Sequence, residues 1–430
     1  MTQNRLTVGS PSCDFAGFTN RDIQSAIDRV AAAGGGEVEL SAGTFALADS
    51  VHLRSGVRLL GAGEATVLRK NPMKSAAVAC YLGYGHYDII VDRPGAFELG
   101  DGIYLHGEHA GGFHATVGTL VAYEDNTWFT NRPHSTDYTV RDKAFARTLF
   151  PLVEATDVSD ASAEGLALDG NAAENPVMIN GCRGGGAYAI RSARVAFRNL
   201  LIRDCNCEGI SFQTCDDLEV ADCRIERCAG NGLHPGSGSN RFHVHGCRVL
   251  RCGACGLFYC LRVRDSVLED CVFEECGSHG VSIGSRDTGH VNRRLTIRGC
   301  GGAGVFIRRC SRADGAHDNL VENCKLEENC AAGVPRGEGV SPLRREGILP
   351  SHVSSSSSSS SSGEAEIVVQ GETVGTQIVS CSIRRRPGKP GILVQPEVIS
   401  FHSKGNDIAP PGADSVVDRR GEPIDFEPGF

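Results

Sequence analysis

The sequence has few aromatic residues and no long apolar run. Phe, Trp and Tyr make up 6% of the 430 residues, and only one of them is Trp. No stretch approaches the roughly 18 consecutive apolar residues of a membrane-spanning helix. An excess of basic residues is also missing, because the formal net charge is -9. Since nucleic acids and anionic membranes both reward excess Lys and Arg, we expect neither as a partner.

A secretory leader is not apparent in the first residues, MTQNRLTVGSPSCDF, which lack a basic segment followed by an apolar one. The 19 cysteines are an odd number in a long chain. An exported protein with a disulfide framework is usually shorter and has an even number of cysteines. These features favour a cytoplasmic protein, with export as the alternative.

Glycine, in contrast, is abundant, with 54 residues. A chain of this length exceeds what one compact core usually supports, so it forms either several domains or an elongated repeat. Many glycines and few large core residues are typical of short strands joined by tight turns. The composition therefore favours the elongated repeat.

One amphipathic helix is predicted near the N-terminus, in TNRDIQSAIDRVAAAGGG. Thr19 and Asp22 have the spacing of a capping box. Ile23, Ile27 and Val30 form one apolar stripe, and the glycines that follow end the helix. Because short alternating strand segments come directly after it, we expect this helix to cap the end of the stacked strands.

A repeat of 23 or 24 residues begins later in the chain. Its glycines are Gly186, Gly209, Gly232, Gly256, Gly280 and Gly304. Cysteines follow the same period in two columns, Cys205, Cys228, Cys252, Cys276, Cys300 and Cys324, and Cys223, Cys247 and Cys271. A period of this length, with short strands and no helical stripe, predicts a parallel solenoid. The regular spacing indicates that the thiols pack inside as small apolar groups.

Alternation along each strand assigns the side chains to the two faces of the solenoid. The first residue after each repeat glycine is apolar and is predicted to face inward, whereas the second varies and is predicted to face outward. Successive rungs of a parallel solenoid are about 4.8 Å apart. Residues at equal offsets therefore stack into columns along the surface.

The organisation predicted from these patterns has five parts. Residues 1–71 hold the cap helix and first coils, 72–160 an inserted β subdomain, and 161–334 the central coils. Residues 335–366 contain nine consecutive serines and are predicted to be a disordered loop. Residues 367–430 complete the last coils and a polar tail.

The N-terminal run DIQSAIDRVAAAGGGEVELSAGTFAL, together with VHLRSGVRLLGAGEATVL, resembles the opening module of the pectate-lyase-like superfamily. The resemblance implies an all-β fold, a right-handed parallel β-helix with an N-terminal capping helix and a small inserted β subdomain. It also implies a polysaccharide or oligosaccharide substrate. It does not imply one reaction, because the superfamily contains lyases, hydrolases, epimerases and non-catalytic binders.

The motifs of two classes in this superfamily are incomplete here. Polygalacturonase-like hydrolases carry spaced acidic motifs with Gly-His-Gly and Arg-x-Lys, and this chain has them only in part and out of order. Calcium-dependent pectate lyases carry a column of acidic ligands, for which no counterpart stands out. We therefore expect no cofactor and no metal, with a calcium ion as the unsupported alternative, and the hydrolase assignment is weakened.

Candidate functional residues lie at outward positions of neighbouring rungs. His234 is two residues after its repeat glycine, and Arg262 and Arg286 are each six residues after theirs. Stacked like charges are unfavourable unless an anion lies between them. That anion could be internal, because Asp265 and Asp287 are close in sequence to the arginines. The external alternative is a uronate carboxylate, because the arginine fork binds it through two hydrogen bonds.

β-Elimination from a uronate needs a positive group at the carboxylate, a base for the proton at C5 and an acid for the leaving oxygen. We predict that the catalytic residues are His234, Arg262, Arg286 and Asp287, with an arginine at the carboxylate and His234 as the base. The predicted substrate-binding residues are Arg264, Arg308, Gln213, Asp217 and Tyr259. The acid is unassigned, with Tyr259 and water as the two alternatives. The predicted function is thus a lyase acting on an acidic polysaccharide.

Two alternatives stay open. Hydrolysis needs two carboxyl groups about 5 to 9.5 Å apart, whereas Asp216 and Asp287 lie three rungs apart, roughly 14 Å at the rung spacing. The other alternative is a glycan-binding or structural β-helix without catalytic activity.

Overall fold

The computed structural model describes residues 4–109, 114–178, 182–331 and 365–421. These residues form two units. The first contains those up to Ser211 together with Glu226–Gly230, and the second contains Phe212–Ile225 and those from Asn231 onward. The nine serines from Ser354 to Ser362, and most of the loop predicted around them, lie outside the described residues.

The predicted N-terminal helix, α1 (Asn20–Ala32), is confirmed. Thr19 and Asp22 form the capping box, with the Thr19 amide donating to Oδ2 of Asp22 over 3.0 Å. Ile23, Ile27 and Val30 have no exposed surface, so the predicted stripe is the buried face. Among the described residues, no helix has the length and apolarity that crossing a membrane requires.

The first unit is built mainly from short strands. They are β1 (Arg5–Gly9), β2 (Phe15–Ala16), β3 (Gly36–Leu40), β4 (Gly43–Leu47), β5 (Val51–His52), β6 (Val57–Lys70), β7 (Ser75–Ala77), β8 (Asp88–Ile89), β9 (Gly102–His106), β10 (Thr116–Glu124), β11 (Thr127–Thr130), β12 (Phe145–Arg147), β13 (Val153–Thr156), β14 (Ser159–Asp169), β15 (Ala187–Ile190), β16 (Ala193–Arg198) and β17 (Leu201–Arg203). Most pair in parallel between rungs, as β13 does with both β5 and β15. The strands from β7 to β12 are the exception.

Those six strands form an antiparallel sheet in the order β7-β12-β9-β10-β11-β8. Its core includes Leu82, Ile103, Leu105 and Tyr138, none of which is exposed. This sheet is the small inserted β subdomain that the sequence predicts. Parallel pairing resumes at Val153.

From β18 onward the strands shorten and recur regularly. They are β18 (Ile210–Gln213), β19 (Glu219–Ala221), β20 (Arg224–Glu226), β21 (Leu233–Pro235), β22 (His243–His245), β23 (Arg248–Leu250), β24 (Leu257–Phe258), β25 (Val267–Glu269), β26 (Val272–Glu274), β27 (Val281–Ile283), β28 (Val291–Arg293), β29 (Thr296–Arg298), β30 (Val305–Ile307), β31 (Leu320–Glu322), β32 (Lys325–Glu327), β33 (Ile367–Val369), β34 (Thr376–Val379), β35 (Ser382–Arg384), β36 (Ile392–Val394), β37 (Phe401–Lys404), β38 (Asp407–Ala409) and β39 (Val416–Asp418). In the second unit these strands fall into three parallel columns, because each rung contributes three.

The predicted register is confirmed in the second unit. Leu233 pairs with Leu257, Leu257 with Val281, and Val281 with Val305. All four have no exposed surface. Burial of each such side chain stabilises the fold by about 1.5 to 3 kcal/mol, so the column accounts for a substantial part of the core.

The cysteine columns lie inside the coils. Cys223, Cys247 and Cys271 are each 1% exposed. The thiol of Cys247 donates to the carbonyl of His245 over 3.3 Å, and that of Cys271 donates to the carbonyl of Glu269 over 3.2 Å. These placements confirm that the thiols pack as small buried groups.

Candidate functional site

A row of side chains runs along the outer face of the second unit, two residues after each repeat glycine. It contains His234, Phe258, Ser282 and Phe306, and strand pairing places Ser282 beside both phenylalanines. His234 meets the ring of Phe258 edge to face, with the two ring centroids 5.5 Å apart. His234 is only 7% exposed. Its imidazole therefore lies on the outer row, as predicted, but is nearly covered.

Arg308 lies flat across this row. Its guanidinium carbon is 4.2 Å from the centroid of the Phe258 ring, within the range of a cation–π contact. Nη1 donates to the hydroxyl of Ser282 over 2.8 Å, and Nη2 donates to the carbonyl of Tyr259 over 2.7 Å. A Cβ on Gly284 would overlap this guanidinium. Glycine at this position therefore allows Arg308 to reach back over two rungs.

Asp287 lies beneath Arg308, without exposed surface. One carboxylate oxygen accepts the amide of Val263 over 3.1 Å, and the other accepts the amide of Gly284 over 2.9 Å. Nη2 of Arg308 is 3.4 Å from the second oxygen. Burial raises the pKa of Asp287 to about 6, although Arg308 and the two amides act in the opposite direction. Asp287 is thus positioned to hold Arg308 rather than to contact a ligand.

Three further arginines follow the strand, and we name them the arginine edge: Arg262 and Arg286 at the turn, and Arg264 two residues after Arg262 in a β-bridge. All three are exposed. Arg286 forms an ion pair of 2.5 Å with Asp314, whereas Arg262 donates to the hydroxyl of Ser237 over 3.3 Å. Among the described residues, neither Arg262 nor Arg264 forms an ion pair.

The local backbone explains why these side chains are exposed. Arg262 and Arg286 have φ values of 57° and 60°, in the left-handed region, and Gly238 has a φ of 73° at the same offset one rung earlier. A residue in this conformation ends the strand and breaks its alternation. The arginines therefore project from the turn into solvent.

Asp217 is paired with Arg241. The guanidinium of Arg241 donates to Asp217 over 2.9 Å and lies 3.4 Å from Asp216. Asp217, then Asp216 and Asp265, raise the pKa of Arg241 above its usual value. These carboxylates are thus associated with Arg241 rather than with Arg262 or Arg264.

The position of Tyr259 contradicts its predicted role as a substrate-binding residue. Tyr259 has no exposed surface, donates to Oδ1 of Asn292 over 3.0 Å and stacks on His290 with centroids 4.2 Å apart. Burial raises its pKa. Because Tyr259 is three residues after its repeat glycine, it faces the interior and cannot contact a substrate. Gln213 is also buried, at 4% exposed.

Six of the predicted site residues therefore fall into two groups. His234 and Arg308 contact the ring of Phe258, with Asp287 beside the guanidinium of Arg308, and the arginine edge follows the strand. Gln213, Asp217 and Tyr259 belong to neither group. The sequence interpretation missed Phe258 and Gly284. A signal for Gly284 was present, because a glycine at an outward offset leaves room for a long side chain from the next rung. In the part of the chain that the structure describes, no group of three or more His, Cys, Asp or Glu side chains is arranged to hold a metal ion.

Comparison with known proteins supports the fold. The family model "Right handed beta helix region" matches residues 164–293. The Dettilon tailspike protein superposes with a TM-score of 0.50 at 11% identity, covering 93% of this chain and 68% of that chain. No curated protein sequence matches significantly.

Two enzymes have similar coverage and lower scores. The A-module of the mannuronan C-5 epimerase AlgE4 of Azotobacter vinelandii has a TM-score of 0.44 at 15% identity, covering 90% of this chain and 91% of that chain. The exopolygalacturonase of Thermotoga maritima has a TM-score of 0.47 at 12% identity, covering 94% of this chain and 93% of that chain. The stacked rungs, the family model and the tailspike likeness together show that the chain has the right-handed parallel β-helix fold.

Proposed function

We propose that this protein acts on an acidic polysaccharide and that the arginine edge binds the uronate carboxylates. The observation that carries this proposal is the exposure of Arg262 and Arg264 without an ion-pair partner among the described residues. A guanidinium fork matches a carboxylate in shape as well as charge. An anion from solution is therefore the partner that these two side chains lack.

The solenoid supports a polymer rather than a small metabolite as the ligand. Its outer face repeats the same side-chain positions about every 4.8 Å along the rungs. A chain with a regular sugar repeat can contact several rungs at once, and each contact adds to the same binding event. The epimerase and the exopolygalacturonase carry names that refer to such polymers, but the proposal depends on the arginine edge.

The reaction that these residues suit best is β-elimination. A base removes the proton at C5, the C4–O4 glycosidic bond breaks, a C4–C5 double bond forms, and the leaving oxygen takes up a proton. In this proposal, Arg262 or Arg286 offsets the charge of the substrate carboxylate and His234 is the base. Asp287 positions Arg308, because its carboxylate is buried beneath that guanidinium. Hydrolysis is less well supported, since Asp217 is paired with Arg241.

A second candidate function is binding without catalysis. It is favoured by the burial of the outer row, where His234 is only 7% exposed and Ser282 only 1%. For His234 to act as the base, the side chains around it would have to move apart so that the imidazole reaches the sugar ring. Binding needs only the exposed arginines. In both candidate functions the ligand is an acidic polysaccharide, but only the lyase forms an unsaturated product.

The two candidates are distinguished by incubating the protein with polygalacturonate, alginate and neutral dextran while absorbance at 235 nm is recorded. Elimination predicts a rising signal with one acidic polymer and none with dextran. Replacement of His234 by Ala should abolish the rise and leave polymer binding unchanged. Binding without a change in absorbance or in reducing ends would establish the binding protein, and absence of any binding would contradict the proposal.

A further inference from the structure

A cavity of about 210 Å³ lies in the first unit, far along the sequence from the arginine edge. The inserted subdomain contributes Thr116, Arg132 and Ser135 to its wall, and the coils contribute Glu154 and Arg183. Pockets for drug-sized ligands usually measure about 300 to 1,000 Å³. The smaller volume here is suited to a ligand on the order of one sugar ring.

Most charges on the cavity wall neutralise one another. Nη2 of Arg132 donates to Oε1 of Glu154 over 3.1 Å, and Nδ1 of His52 lies 2.9 Å from Oε2. Burial raises the pKa of Glu154, but hydrogen bonding and charge from His52 and Arg132 outweigh it and lower the pKa to about 2. Arg191 likewise makes two hydrogen bonds of 2.6 Å with Asp157.

Arg183 differs from the other cations of the cavity. Nη1 donates to the backbone carbonyl of Ala115 over 3.0 Å, and Nε is buried without a hydrogen-bond partner among the described residues. The charge of Arg183 acts to lower the pKa of the nearby Tyr138. Among the described residues, no carboxylate forms an ion pair with Arg183. One positive charge of the wall therefore remains uncompensated.

The rest of the wall has the mixed character of a sugar site. Val117, Pro133, Pro151 and Ile190 present apolar surface, to which the CH groups of a pyranose ring can pack. Hydroxyl groups come from Thr116 and Ser135. A mostly apolar lining with a few converging polar groups is typical of small-molecule sites.

We propose that this cavity binds a single uronate unit, with Arg183 paired to its carboxylate. The unit is either a free monosaccharide or the terminal residue of a chain, and the two share the same chemistry. The choice of a uronate over other small carboxylates rests on the proposed function. The site itself is separate, since none of its residues belongs to the arginine edge.

Isothermal titration with glucuronate, glucose and inorganic phosphate tests the proposal on the full chain. Wild type should bind glucuronate and not glucose, and Arg183→Ala should weaken binding at least tenfold. Arg183→Lys should restore part of the affinity, because it keeps the charge and loses the fork. Ile190→Phe should also weaken binding by narrowing the cavity, which provides a second variant should Arg183→Ala fail to fold.

The controls separate this proposal from the proposed function. Arg183→Ala should weaken glucuronate binding and leave binding of the polymer unchanged, whereas replacement of Arg262 and Arg264 by Ala should weaken binding of the polymer. In the double variant Arg262→Ala/Arg264→Ala, which lacks the arginine edge, a tetragalacturonate probe distinguishes a chain end from a free sugar, because a chain-end site binds it at least as tightly as the monosaccharide. Equal binding of glucose and glucuronate, tighter binding of phosphate than of glucuronate, or unchanged glucuronate affinity in Arg183→Ala would overturn the inference whatever happens to the polymer.

Discussion

Arg308 lies against the ring of Phe258, which is two rungs earlier, with the guanidinium carbon 4.2 Å from the ring centroid. The side chain crosses the intervening rung at Gly284, where a Cβ would overlap it. The buried carboxylate of Asp287 lies below the guanidinium. This arrangement ties three rungs together through one side chain and sets the surface next to the arginine edge.

Replacement of Gly284 by Ala should therefore displace Arg308. Overpacking of this kind usually costs about 1 to 3 kcal/mol, and we expect a loss of that size in the free energy of unfolding measured with urea. Gly95→Ala is the matched control, because a Cβ at Gly95 meets no atom within 4 Å. Equal stability of the two variants would contradict the packing of Arg308 described above.

The buried ammonium group of Lys70 leads us to expect that an uncharged residue at this position stabilises the fold. Lys70 is 1% exposed, and among the described residues its ammonium group has no hydrogen-bond partner, although it lies 5.0 Å from the centroid of the Phe150 ring. Burial lowers its pKa to about 8, offset only in part by the thiols of Cys205 and Cys207. Below pH 8 the folded protein keeps a buried charge, which Lys70→Met removes. We expect a gain on the order of 2 to 3 kcal/mol at pH 7.

The pH dependence of this gain has a definite sign. Between pH 8 and about 10.5 the unfolded chain binds more protons at this lysine than the folded chain, so wild-type stability rises with pH through this site. The advantage of Lys70→Met should therefore shrink over that range in urea unfolding at fixed pH values. Lys404→Met, at an exposed position, is the control and should show no gain. An advantage independent of pH would show that the charge is not the cause.

For His52 we expect the stability of the fold to depend on pH in the opposite direction. Burial lowers the pKa of His52, but hydrogen bonds to Asp49 and Glu154 outweigh it and raise the pKa to about 9. The protonated imidazole stabilises the fold fully below the unfolded value of about 6.5, and this contribution is lost as the pH rises through 9. His52→Gln should thus cost about 2 to 3 kcal/mol at pH 6 and little above pH 9.5. His86→Gln, at an exposed histidine, should cost little at either pH, and a pH-independent loss in His52→Gln would refute the ion pair.

The buried cysteine columns predict that the protein needs neither disulfides nor a metal for stability. Thiol titration in denaturant should find the cysteines reduced in protein purified without oxidant. A chelator should leave the unfolding temperature unchanged, because the columns contribute apolar packing. Mostly oxidised thiols, or a lower unfolding temperature with the chelator, would overturn this interpretation.

The sequence predicted the repetitive part of the fold well because the repeat is a local pattern. The capping box of Thr19 and Asp22 and the inward column of Leu233 and Leu257 depend only on spacing, and both are present. Alternation also indicated the interior position of Tyr259, since the third residue after a repeat glycine faces the same way as the first. That rule should have excluded Tyr259 as a substrate-binding residue.

The pairing of charges between rungs could not be predicted in the same way. Asp287 is next to Arg286 in sequence, yet Arg286 pairs with Asp314 and the nearest cation to Asp287 is Arg308. Which arginine reaches which carboxylate depends on the turn conformation and on the space left by Gly284. Neither property is local in sequence, so the sequence could not indicate which arginine pairs with which carboxylate.

Binding of an acidic polymer by Arg262 and Arg264 is tested by titration of polygalacturonate and alginate into wild type and into the double variant Arg262→Ala/Arg264→Ala. Arg194→Ala serves as the control, because Arg194 is an exposed arginine held by Asp160 in the first unit. We expect the double variant to lose at least tenfold in affinity, the control to bind as wild type does, and added salt to weaken wild-type binding. Equal affinity of the double variant and wild type for every acidic polymer would contradict the account.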